Sequence, residues 1–176
     1  MRKIYIIGTV HNIIPKYQEE LKSVLENINP NQILVEIVQK DLEKRNFKKY
    51  PKEMVYAYRW GIRNKKKVNG FDGPINIVKK SIIKKKLKEI EKQSFKILNK
   101  HNWKDWNKSK YDKDNEFSKV MNKIIDQHKH KLRQKRMLNN ILKMMVKDGK
   151  ILILTGSYHL RFFEKNLKEA IFPLRN

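Results

Sequence analysis

The chain has 176 residues, no cysteine, and 42 lysines and arginines against 18 aspartates and glutamates, a formal net charge of +24. That length suits a single domain able to bury a core unaided, and the lack of cysteine excludes thiolate nucleophiles, zinc-thiolate sites and disulfide frameworks. No apolar run approaches a membrane span. The run after Met1-Arg2-Lys3 ends by His11, too short for a signal peptide's hydrophobic region, so a cytoplasmic protein with no membrane partner is expected.

The first predicted strand, Lys3 to Gly8, is a β-branched run that stops at Gly8-Thr9-Val10-His11. Pro15 is placed for a first helical turn, and Tyr17, Leu21, Val24, Leu25 and Ile28 keep helical spacing until Asn29-Pro30. A second strand, Gln32 to Ile37 (QILVEI), carries Glu36 near its end, and Pro51 opens a second helix, PKEMVYAYRWGIRNKKK. A fainter strand, Lys67 to Phe71 (KVNGF), leads into Asp72-Gly73-Pro74. From Ile75 to Lys100, apolar residues recur at helical intervals among lysines, predicting an amphipathic helix with a solvated basic face. HNWKDWNKSKYDKDNE reads as a loop, and helical spacing returns from Phe117 to about Val146, with Gly149 as its stop. The last strand, Ile151 to Thr155, runs into Gly156-Ser157-Tyr158-His159. The alternation predicts an α/β fold: a small, mainly parallel sheet with flanking helices and right-handed crossovers. Residues 1–176 form one domain, in which residues 75–147 are a basic helical insertion or cap, or else the last crossover.

The charge invites a nucleic-acid partner, since clustered basic side chains neutralise phosphates and release counterions. Only eight of the 42 basic residues are arginine, however, and the lysines are dispersed among asparagines and isoleucines as an A/T-rich genome would encode them. Trp60, Trp103 and Trp106 offer stacking faces, but their positions on helices and a loop suit core packing.

Ligands of an open parallel sheet bind outside the carboxyl ends of its strands. The four predicted strands end at His11, Glu36, Asp72 and His159, all able to bind metal or transfer protons. Two imidazoles with one or two carboxylates suit manganese, iron, cobalt or zinc, any of which could activate water. On that reading both imidazoles lie within about 5 Å of each other. Gly8 and Gly156 let the backbone turn sharply at the strand ends. Glu36, a charge among apolar neighbours, needs a partner or a ligand. Asp72 in FDGP also suits an ordinary turn. His128 and His130, two apart on a helix, diverge and read as surface residues. Arg133 and Arg136 share a helical face from which one can stabilise an anion.

GTVH near the N-terminus, the glutamate of LVEI, an arginine on the helix before the last strand (KRMLNNILKMM) and the strand running into GSYHL together resemble the TraB/TIKI family of GxxH hydrolases. The wider group includes proteins similar to ChaN and erythromycin esterase. The matched segments lie at the two ends of the chain, and Phe47 to His130 matches only in helical character. The resemblance implies an α/β fold whose catalytic centre combines His11, His159 and Glu36, with Gly8 and Gly156 as motif glycines. Arg136 is the better arginine match, with Arg133 and Asp72 left to substrate binding. TIKI-type members imply a divalent metal, manganese or cobalt, held by His11, Glu36 and His159; esterase-like relatives imply a histidine base without an essential metal. The expected function is therefore hydrolysis of a peptide amide or a small ester. A basic nucleic-acid-binding protein and an inactive, ligand-binding family member are the alternatives.

Overall fold

Each of the four apolar runs forms a strand in the computed structural model, which describes residues 1–10, 17–98, 104–108 and 116–175. Strands β1 (Arg2–Thr9), β2 (Gln32–Val35), β3 (Lys67–Gly70) and β4 (Gly149–Gly156) make one all-parallel sheet in the order β1-β4-β2-β3. The α/β class read from the sequence is the one observed. The last strand in sequence is thus central, its Ile151 and Ile153 in register with Ile4 and Ile6 of β1.

Helices cover both faces, which is why the strands read as apolar runs rather than as alternations. On one face, helices α1 (Tyr17–Ile28) and α3 (Lys52–Arg63) bury Leu21, Leu25, Met54 and Ala57 against Ile7, Ile33, Val35, Leu152 and Leu154. Leu42 of the short helix α2 (Gln39–Glu43) joins them. On the other, α6 (Gln127–Met144) and α7 (Leu160–Asn166) bury Met137, Ile141, Leu160 and Phe163 against Ile4, Ile6, Leu34, Ile151 and Ile153. Pro15 lies outside the described residues, so the start expected for α1 does too.

The region expected as an insertion divides. Helices α4 (Lys84–Leu98) and α5 (Glu116–Asn122) contribute Ile90, Ile97 and Val120 to a separate apolar cluster with Trp106, Ile124, Ile125 and Val10 at the end of β1. α6 instead lies on the sheet as the last crossover. The helix expected from Ile75 begins only at Lys84, because Ile77 to Lys79 pair as an extended segment with Ile124 to Asp126. The helix expected over Phe117 to Val146 is broken at the same place, where Asp126 caps α6 by accepting the Lys129 amide at 3.1 Å.

β1 is an edge strand, a liability unless its free N–H and C=O groups are covered. Ile171 exchanges backbone hydrogen bonds with Ile6 and Ile4, and the Asn107 side-chain amide pairs with both the N–H and C=O of Gly8, at 2.7 and 2.8 Å. Asn107 sits in a 3₁₀ turn (Asp105–Asn107), so this contact fastens the loop after α4 to the strand end beside the predicted site. Replacing Asn107 with alanine strands two buried backbone groups and is expected to lower unfolding free energy by about 2 to 4 kcal/mol in urea titrations. A loss below about 0.5 kcal/mol would mean that other groups seal this edge.

Candidate active site

The helices after β1 and β4 lie on opposite faces of the sheet, α1 on one and α7 on the other, and β2 is likewise followed by α2 on the α1 face. Adjacent strands whose connections depart to opposite sides leave a crevice at their carboxyl ends. That crevice is a cavity of about 480 Å³, bordered by Thr9, Glu36, Asp72, His130, Arg133 and His159 among others.

Strand alternation decides what enters it. Leu34 of β2 points toward α6, so Glu36 does as well, and so does Thr155 two residues beyond Ile153. Glu36 is 8% exposed, and both of its oxygens are engaged. Oε2 accepts from the Thr155 hydroxyl at 2.7 Å and the Gly156 amide at 2.8 Å; Oε1 accepts from Arg133 Nη2 at 2.9 Å and lies 3.4 Å from His159 Nε2. Burial alone would raise the Glu36 pKa, but His159, Arg133 and the Gly156 amide outweigh it and hold the carboxyl well below its ordinary 4.5. Arg133 also donates from Nε to Asp72 at 2.9 Å, binding the end of β3 to the end of β2. Asp72 is shifted the other way, upward, because burial and the nearby Glu36 charge outweigh Arg133.

His159 is buried at the head of α7, its Nδ1 3.2 Å from the Gln134 side-chain amide nitrogen. With that amide donating, Nδ1 is the acceptor nitrogen and Nε2 carries the proton toward Glu36. His130 stacks on His159, ring centroids 5.2 Å apart and planes 24° from parallel. A relay of rings from Trp106 through Phe117 and Tyr158 to His130, each pair 5.0 to 6.3 Å apart, joins the cap to this stack. His130 is 5% exposed, and its Nε2 has no hydrogen-bond partner among the described residues. Burial, reinforced by repulsion from His159 whenever that ring is protonated and by the Arg133 charge, pushes its pKa down to about 4, leaving a neutral ring at pH 7.

Several expectations change. Arg133, not Arg136, reaches Glu36 and Asp72; Arg136 is exposed, lays its aliphatic stem against Gly73 and is not among the residues lining the cavity. His130 is not a surface residue, although His128 is. Its burial was readable: His130, Gln134, Met137 and Ile141 fall at helical spacing on the buried face of α6. Nor do the motif glycines serve a tight turn. Gly156 has ordinary extended angles, φ −62° and ψ 138°, and Gly8 matters because a Cβ there would lie 2.6 Å from Leu160 Cδ1 and 2.9 Å from Ser157 Cα. His11 lies outside the described residues, so its distance from His159 does too.

Of the three ligands that the resemblance implies for a divalent metal, His11 lies outside the described residues, and the two described, Glu36 and His159, already have other partners. Glu36 already has both oxygens engaged, one by a guanidinium whose charge repels a cation, and His159 has a side chain against each ring nitrogen. Among the described residues no three His, Cys, Asp or Glu form a group able to hold a metal ion. Comparison with protein-family models, curated proteins and solved structures finds no match for the chain.

The pKa shifts predict an acid-labile site. His130 is neutral in the fold but takes a proton near its ordinary 6.5 when unfolded, so its contribution, complete above that pH, is lost as pH falls toward about 4. Glu36, depressed in the fold, adds a further loss below 4.5, while Asp72, raised, works in the opposite direction. Urea titrations between about pH 6.5 and 4.5 are expected to show wild-type stability falling more steeply than that of His130→Gln. Parallel slopes would mean that His130 titrates alike in both states.

Proposed function

We propose that the chain is a hydrolase that cleaves an ester or amide bond in the crevice at the end of β4. The observation that carries this reading is the convergence of Glu36, Asp72, Arg133 and His159, from four separate elements, around one cavity. Buried, oppositely shifted titratable groups in a cleft are the arrangement that acid-base chemistry requires. The resemblance to GxxH hydrolases supports the same reading through Glu36 and His159.

In the proposed reaction a water takes the place of the Gln134 amide at Nδ1 of His159 and loses a proton to that nitrogen as its oxygen bonds to the substrate carbonyl carbon. Glu36 stabilises the imidazolium through Nε2 and fixes the ring's orientation. Arg133, held by the two carboxylates, retains further N–H donors for the developing oxyanion. Collapse breaks the bond to the alkoxide or amine, which leaves with the proton from His159. Each step is carried by the chain's own side chains, since Glu36 and His159, the described members of the implied metal set, are already engaged by Arg133, Thr155, Gly156 and Gln134.

The test is turnover of a panel of p-nitrophenyl esters and fluorogenic peptides. His159→Gln should lower kcat by about 10²- to 10⁴-fold. Arg133→Lys, which keeps the charge but loses the planar fork, should lower it more than Arg136→Ala, which should match wild type. Turnover insensitive to His159→Gln would sink the assignment. Prolonged dialysis against EDTA should leave activity unchanged; loss on chelation with recovery in manganese would mean that Glu36 exchanges Arg133 for a metal.

A further inference from the structure

A second concavity, of about 690 Å³, lies along α3 and the segment before it. Four of its ten lining residues are cationic, Lys48, Lys52, Arg59 and Arg63, and none is acidic. Four more are aromatic, although aromatics make up only 10% of the chain, so dispersed lysine usage does not account for this lining. Phe47, Tyr56 and Trp60 are half-buried: one side packs on the core formed by α1, α3 and the sheet, and the remainder faces outward. Tyr56 and Trp60 are one helical turn apart, about 6 Å along the axis, and Arg59 and Arg63 repeat that spacing.

Arg2, Arg133 and Arg175 each pair with a carboxylate. Arg59 and Arg63 are exposed and make no ion pair among the described residues, so their charges are available to a ligand. Arg45, Arg136 and Arg161 also make no ion pair among the described residues, so what distinguishes this groove is a pair of such arginines one helical turn apart beside half-exposed rings. Guanidinium groups beside rigid, half-exposed rings form a surface that neutralises phosphates and stacks on unpaired bases. An acidic peptide would satisfy the cations but leave the rings unused, and a duplex hides its base faces. We infer that the groove along α3 binds single-stranded nucleic acid, with Arg59 and Arg63 on phosphates and Tyr56 and Trp60 stacked on bases. This inference stands independently of the hydrolase reading.

The test is fluorescence anisotropy of the whole protein with a fluorescein-labelled oligothymidylate, a matching duplex, and phosphatidylserine vesicles as a third arm. Binding to the single strand should persist at about 0.15 M salt and weaken linearly on a log-log salt plot. Arg59→Glu with Arg63→Glu should weaken it at least about tenfold without lowering the melting temperature. Lys88→Glu with Lys92→Glu, an equal charge change on exposed positions of α4, should change it less than about twofold. Tyr56→Leu, which keeps apolar bulk against the core but removes the stacking face, should also weaken binding. Equal losses in the two charge-reversal pairs, equal affinity for the duplex, no binding at that salt, or binding to vesicles alone would each overturn the inference.

Discussion

The buried Glu36 carboxylate is the constraint around which the end of the sheet is organised. An anion at the end of a central strand is expensive unless every lone pair is answered, and here β4, α6 and α7 supply the answers through Thr155, Gly156, Arg133 and His159. Arg133 carries the same demand outward to Asp72, so three strand ends and the first half of α6 are held by one continuous network. Removing Arg133 leaves the Glu36 and Asp72 carboxylates without their shared cation, and removing Glu36 leaves Arg133 with Asp72 alone. The arrangement is therefore a rigid unit, which is what a site that must aim an imidazole needs.

Topology places that unit. Because the last strand enters between the first and second, the turn after β4 emerges amid the other strand ends, and the opposite departures of α1 and α7 open the crevice there. Gly8 lets the turn lie directly on β1, with no Cβ to hold off Leu160 and Ser157. The edge this leaves on β1 is sealed by Ile171 and by the side chain of Asn107, which ties the cap to the sheet.

The cap and the site are joined by packing rather than by charge. Trp106, Phe117 and Tyr158 lead ring to ring into the His130-His159 stack, and Val10 and Tyr158 share the cap's own apolar cluster. Movement of α4 and α5 would therefore be felt at the histidines through ring contacts, to which the Tyr158 hydroxyl adds a hydrogen bond donated to Asn122 of α5 at 2.9 Å. His130, neutral and stacked, suits that place better than a charged residue, since a cation there would meet Arg133.

The elements were legible in the sequence because both faces of the sheet are buried: QILVEI and KILILT can satisfy such burial only as strands, and the Leu21, Leu25, Ile28 spacing only as a helix. Glu36 was legible for the same reason, being a charge where none is tolerated alone. Strand order, the partner of that charge and the ring on which His130 stacks were not. Arg133 and Arg136 lie about one turn apart on the same helix, and only the way α6 seats on the sheet decides which meets Glu36 and which rests on Gly73. Periodicity states that a face is buried; it does not state against what. That is decided by contacts between residues distant in the chain, such as Glu36 with Arg133 and Gly8 with Asn107, which exist only once the whole fold has closed.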